Sequence, residues 1–296
     1  MKKALSNKWT IAFFMLPAFI IFTVFVIYPL FPEVKMSLYE FNGLSYGDFV
    51  GLDNYKATLS DPRFWTACLN SLKVVIVGVG FGVPCEILLA LVLDRVISKT
   101  SKTIYKLFAF FPAVLSVTVI SQLWLAIYDS EWGLLNSFLR SVGLGSLQQL
   151  WLGDSNLAIW SIGFAFIWQY LGINSMIIYA GIKTIPESYY EAALLDGAGF
   201  WDISFKITIP LLSEIIRYII VVSFLGSIGE FARIKIMTAG GPGVATRTII
   251  YQLYQKTFAD ANFGEGCAIG LMFLLFCSAI VMIINWFYSR KERVEF

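Results

Sequence analysis

With no histidine and four cysteines, Cys68, Cys85, Cys267 and Cys277, that show no CxxC spacing, this chain has few ways to do covalent chemistry. Zinc sites with nitrogen ligands and nucleophilic catalysis assisted by imidazole are both excluded. Cys85 and Cys277 lie in apolar runs and are expected to be small core residues. Thr238 to Thr246 is rich in glycine but lacks the Gly-Lys-Ser/Thr that would hold phosphate and magnesium, and no such sequence occurs elsewhere. No catalytic residue, metal site or cofactor is therefore expected. The remaining candidates are acids. Glu86 stands roughly 12 Å of helix rise from Asp94, well inside an apolar run, with Gly78, Gly80, Gly82 and Pro84 before it. It could be protonated, paired across a subunit interface, or on a path for solute.

Polar side chains inside apolar helices are costly unless they face protein or water, so their spacing points to a lined face. Ser223, Ser227 and Glu230 recur at i, i+4 and i+7, with Gly226 alongside. Tyr170 and Asn174 form a second candidate face, beside Trp168 and Gln169, and Ser121, Gln122 and Trp124 a third group. Aromatic faces beside amide or hydroxyl groups suit sugar rings, which are apolar on their C–H faces and hydroxylated at the rim. The plainer alternative is close helix packing at small residues and an interfacial aromatic belt.

The elements that must carry these residues are membrane helices. Of 296 residues 58% are hydrophobic and 14% charged, and the mean hydropathy is +0.73, too apolar for a soluble domain. A net charge of +2, without an arginine-rich or aromatic-interleaved run, gives no argument for nucleic acid. Apolar runs are predicted to span over Trp9–Phe31, Ser71–Leu93, Ile104–Tyr128, Leu157–Ile182, Leu211–Gly229 and Phe263–Phe287. Pro17 and Pro29 kink or end the first, and Glu214 and Arg217 snorkel at the start of the fifth. The first run is too long for a signal peptide and no small-residue cleavage site follows it.

Lysine and arginine number 13 on one side of this map and 9 on the other, longer side, with clusters at Arg95/Lys99/Lys102/Lys106 and Arg290/Lys291/Arg293. Together with Lys2, Lys3 and Lys8 they place both termini in the cytoplasm. The clusters are read as topology anchors.

Between the fourth and fifth runs lies a polar segment, Glu191 to Pro210. A first short helix is predicted from Pro186, with Glu187 and Glu191 near its positive end, stopping where Gly197 takes the left-handed cap. A second is predicted from Phe200 to Ile209, broken at Pro210. Small Ala192, Ala193 and Ala198 would let a partner approach the backbone closely.

This segment resembles the EAA loop of the permease subunits of bacterial ABC importers. Glu191, Ala192, Ala193, Asp196, Gly197, Ala198, Ile207 and Pro210 fall in register with that signature. One position departs: Ser204 stands where the family has Phe, with Phe205 next to it. Phe49 to Tyr55 (FVGLDNY) and Asp61 to Trp65 resemble the first external loop of the carbohydrate-uptake branch, and Thr238 to Pro242 its T-x-G-G-P turn.

The resemblance implies an all-α polytopic membrane protein of the MetI-like permease fold, with six transmembrane helices. It implies one permease domain over 1–296, a core at 69–288 and a cytoplasmic coupling loop at 184–210. The implied location is the bacterial cell membrane, inner or plasma, crossed several times with both termini cytoplasmic. Implied partners are two ATPase subunits that bind the ATP, a second homologous permease subunit, an extracytoplasmic solute-binding protein, membrane lipid and a carbohydrate. Competing readings are a secondary transporter working alone and a membrane transferase using Glu86 and Glu230. No internal repeat favours the first, and no DxxD-like acid cluster favours the second.

Overall fold

Apolar runs become helices because inside a bilayer a helix pairs its backbone polar groups with itself. A computed structural model of the chain describes residues 8–95 and 99–289. Helix α1 (Lys8–Phe22), a π-helical stretch at Thr23–Ile27 and α2 (Tyr28–Ser37) form one run. An antiparallel hairpin follows, β1 (Tyr39–Phe41) on β2 (Tyr46–Phe49), with Tyr39 opposite Phe49 and Phe41 opposite Tyr46. This hairpin qualifies the all-helical expectation. Its turn rests on Asn42, whose Oδ1 accepts from the amides of Leu44 and Ser45 at 3.0 and 2.9 Å, and on Gly43 at φ +92.

After α3 (Asp53–Ser60), a second run comprises α4 (Pro62–Val75), a π stretch Ile76–Gly82 and α5 (Val83–Arg95). It begins nine residues before the expected Ser71, because the helix starts where Pro62 needs no N–H partner. Then come α6 (Lys99–Val114), α7 (Val117–Ile127), α8 (Leu134–Ser141) and the long α9 (Ala158–Ile182). The next elements are α10 (Glu187–Leu195), α11 (Phe200–Ile203), a π stretch Ser204–Thr208 and α12 (Ile209–Leu211). The chain closes with α13 (Ser213–Ile228), α14 (Ala232–Met237), α15 (Ile249–Tyr254), a π stretch Gln255–Ala259 and α16 (Phe263–Ser289).

Among the described residues five helices are long and apolar enough to cross a membrane: Thr10–Ser37, Pro62–Arg95, Ala158–Ile182, Ser213–Met237 and Phe263–Ser289. The expected single span Ile104–Tyr128 is instead two helices, Thr103–Val114 and Val117–Ile127, bent by 103°, and gives a sixth span only when counted as one. Pro112 removes a backbone donor near the break, and Ser116 starts α7 as its N-cap, accepting the Val119 amide at 3.3 Å. The fifth span runs beyond Gly229, through α14.

Three of the π stretches end two residues before a proline: Ile27 before Pro29, Gly82 before Pro84, Thr208 before Pro210. Proline clashes with the carbonyl four residues back, and a turn widened to i→i+5 relieves that without ending the helix. The amides of Tyr28 and Ile209 accordingly reach back to Thr23 O and Ser204 O. Pro29 therefore does not end the first run. Nor does Pro210 break the second short helix, which turns only at Leu212.

The described residues pack as two compact units, one of residues up to Pro62 with Leu253–Leu275, the other of Arg63–Gln252 with Phe276 onward. In the second unit one apolar cluster joins Val83, Ala90, Leu91 and Leu93 of α5 to Ile178 and Ile182 of α9, Ile185, and Leu212, Ile216 and Ile219. Another joins Ile120, Trp124 and Tyr128 to Ile162, Ala165, Ile234, Met237 and Tyr251. Cys277 is buried as expected, but Cys85 is exposed on the surface of its helix.

Candidate functional site

The segment 184–210 folds as a capped corner. Pro186 is the N-cap and α10 starts one residue later than expected, at Glu187. At its other end Gly197 has φ +77, its amide bonds Leu194 O at 3.1 Å, and the Ala198 amide bonds Ala193 O at 2.9 Å. Those two bonds are a Schellman cap, which satisfies carbonyls that a helix end otherwise leaves orphaned. A Cβ at Gly197 would meet nothing within 4 Å, so glycine is required there by backbone conformation and not by space.

Of the eight signature residues, Ala193 is buried, Ala198 and Ile207 are half-buried, and Glu191, Ala192, Asp196, Gly197 and Pro210 are exposed. The corner also exposes large apolar side chains: Leu194 at 58%, Leu195 at 90%, Trp201 at 56% and Phe205 at 61%. Ser204 is buried, and the adjacent Phe205 turns outward to stack on Trp201 with centroids 5.9 Å apart. Large apolar side chains exposed together on a polar segment are the kind of feature that marks interaction surfaces. Lys206 lies 2.6 Å from Asp202, both exposed, and its hydrogen bond holds the Asp202 carboxyl below the usual carboxylate range.

Behind the corner is a cavity of about 490 Å3 whose lining includes Asp94, Arg95, Lys183, Tyr190, Glu191 and Phe200. Lys183 pairs with Asp94, whose hydrogen bond raises the lysine above its ordinary value against the opposing pull of desolvation. The Arg95 guanidinium lies over the Phe200 ring, 5.1 Å from its centroid. Sequence reasoning assigned Arg95 only to topology and passed over Asp94 and Lys183. An acid at the end of an apolar run among bases was the available signal. Lys106 lies over the Tyr179 ring at 5.4 Å, while the side chains of Lys8, Lys99 and Lys102 and all of Lys2, Lys3, Arg290, Lys291 and Arg293 lie outside the described residues.

Four of the five candidate path residues, Asn174, Ser223, Ser227 and Glu230, are buried. Asn174 donates from Nδ2 to Glu86 Oε1 at 2.9 Å, and Glu86 is 2% exposed with no hydrogen-bond partner for Oε2 among the described residues. Ser223 and Ser227 are buried; Ser227 Oγ donates to Ser223 O at 2.5 Å and packs on Gly78, where a Cβ would lie 2.0 Å from that Oγ. Glu230 forms an ion pair with Arg233, which is 1% exposed. Arg233 also donates to Gln169, lies 5.2 Å from the Phe166 ring and 5.7 Å from the Tyr170 ring. Gln169 in turn donates to Leu115 O at 2.9 Å, at the break between α6 and α7. Among Tyr170, Asn174, Ser223, Ser227 and Glu230, Tyr170, at 37% exposure, is the one left open to its surroundings; of the third group Ser121 and Trp124 are buried and Gln122 is exposed. Arg233 was missed because it was counted with the outer basic residues, although its i, i+3 spacing from Glu230 was visible.

The remaining motifs serve as corners. Asn54 bonds Ser37 O and Tyr39 O at 2.8 and 3.0 Å, and Tyr55 bonds the Ser37 hydroxyl at 2.7 Å, so FVGLDNY ties its loop to the end of α2. In the T-x-G-G-P turn Ala239, Gly240 and Gly243 have positive φ and Gly241–Pro242 is cis. Thr246 Oγ1 donates to Gly241 O at 2.9 Å, and Tyr251 to Ala239 O at 2.7 Å.

The family model described as "binding-protein-dependent transport system inner membrane component" matches residues 78–293. A probable ABC transporter permease protein of Pyrococcus horikoshii is 36% identical over 96% of this chain and 97% of its own length. The arabinooligosaccharides transport system permease protein of Bacillus subtilis is 29% identical over 94% of this chain and 88% of its own. A chain in the crystal structure of a bacterial ABC transporter involved in the import of alginate superposes with a TM-score of 0.81 at 23% identity, covering 97% of this chain and 98% of that one.

Proposed function

The chain belongs to the family of binding-protein-dependent transport system inner membrane components, and from that premise we propose how it works: it carries a sugar or oligosaccharide inward, driven by ATPases docked on the 184–210 corner. It is the multi-pass permease of an ABC importer and is not itself catalytic. Both termini and the corner face the cytoplasm. Two ATPase subunits bind there, a second homologous permease lies alongside, and an extracytoplasmic binding protein delivers the solute. Relatives named for oligosaccharide uptake support the substrate class. Glu191, Ala192, Ala193, Asp196, Gly197, Ala198, Ile207 and Pro210 form or shape the docking surface. Along the path, Tyr170 meets the solute, while Asn174, Ser223, Ser227 and Glu230 hold the helices around it.

The observation that supports docking most directly is the capped corner with Leu194, Leu195, Trp201 and Phe205 exposed on it. A rigid helix end with an apolar patch suits a partner's cleft and loses little entropy on binding. The test is co-purification of the ATPase with Gly197→Asp and Glu191→Lys, alongside uptake by cells. Both variants are expected to insert in the membrane, lose ATPase attachment and abolish uptake. Wild-type ATPase binding and uptake in both would remove the corner as the docking surface.

A further inference from the structure

We infer that Asp94 and Arg95, at the end of α5, are positioning residues that clamp the 184–210 corner to the second span, so that movement of the corner drives that span. This rests on the corner being the ATPase docking surface. Two consecutive residues hold two different parts of the corner. Asp94 pairs with Lys183, ahead of α10. Arg95 lies over Phe200, the first residue of α11, beyond the Gly197 turn. The corner is thus gripped on both sides of its bend by one helix end that is remote from it in sequence.

The grip is reinforced by packing. Leu91 and Leu93 of α5 share an apolar cluster with Ile185, and Tyr190 and Phe200 pack against it. The fourth and fifth spans are joined to the corner by the chain itself and move with it in any case. The second span has no such link, and Asp94 and Arg95 supply one. The same span carries Gly78, packed on Ser227, and Glu86, bonded to Asn174. Movement imposed at Asp94 therefore passes along one helix to the buried contacts of the other two spans, since close-packed helices shift as units.

The experiment uses the whole importer in proteoliposomes, measuring ATP hydrolysed and solute transported in the same sample. Asp94→Lys and Lys183→Asp should each keep the ATPase attached and hydrolysing, with solute moved per ATP lowered about fivefold, the upper range for a partly exposed ion pair. The double exchange, Asp94→Lys with Lys183→Asp, should restore the ratio, because it remakes the pair with reversed sense. Arg95→Gln should lower the ratio independently of both. If the reversed chains do not accumulate, Asp94→Asn and Lys183→Gln take their place. An unchanged ratio in the single variants, or a loss that the exchange does not repair, overturns the clamp. Detachment of the ATPase from the single variants also overturns it and leaves the docking surface standing.

Discussion

The Gln169 side chain accepts a hydrogen bond from the Arg233 guanidinium, and through it the middle of α9 holds the start of α14. Gln169 donates at the same time to Leu115 O. Two interruptions, between α6 and α7 and between α13 and α14, are therefore stitched to one residue of an unbroken helix. Backbone freed at such breaks must find partners within the protein when it lies at membrane depth.

Removing Arg233 alone should be severe. Arg233→Met leaves Glu230 buried without its cation, a change of roughly 3–5 kcal/mol, whereas Arg233→Met with Glu230→Leu should recover most of it. Thermal melting of the purified importer, at matched detergent and lipid, reads the difference. A single variant that melts with the wild type would mean that the pair is dispensable.

The contact of Gly78 with Ser227 should behave as packing. Gly78→Ala places a methyl against the serine and should cost roughly 1–3 kcal/mol, relieved by a second change, Ser227→Gly. Ser227→Ala alone should transport nearly as the wild type does. Strong loss of uptake in Ser227→Ala, with assembly and melting unchanged, would return this hydroxyl to the solute path.

A cysteine replacing Asp196 should resist membrane-impermeant maleimide added to intact cells and react once the membrane is opened. The exposed Cys85 must be replaced first. Efficient labelling from outside would invert the topology.

The Asp94 pair raises Lys183, so its contribution is fully present below the unfolded lysine value of about 10.4 and lost as the pH climbs through the higher folded value. Transport per ATP should therefore stay flat from about pH 6 to about pH 9 as far as this pair is concerned. A fall within that window that Lys183→Gln abolishes would contradict the assignment.

Composition and run length made the membrane class and five of the spans legible, since twenty apolar residues have few other places to go. The corner was legible because Gly197 and Pro186 act locally, through backbone conformation. The broken third span was not, because the 103° bend depends on how Pro112 and Ser116 act together with a neighbouring helix. How the candidate path packs was not legible for a related reason: periodicity tells which residues share a face, but not whether that face meets a cavity or, as at Ser227, Gly78. Lys183 was hidden because a lone base near a helix end reads as a solvated charge until its partner Asp94, from another helix, is in view, and Arg233 because its spacing from Glu230 does not tell a buried pair from a surface one.

The widened turn ahead of Pro84 sets the angular phase of everything after it. Each residue of an α-helix advances by about 100°, so one extra residue in a turn rotates the remainder of the helix by nearly a third of a circle. Glu86 lies just past that point and meets Asn174 at 2.9 Å. Were Ile76–Gly82 an ordinary α stretch one residue shorter, the same carboxyl would swing off this azimuth toward a different neighbour. The stretch thus acts as an indexing notch, fixing which way a buried acid points by a residue count that no side-chain pattern reveals.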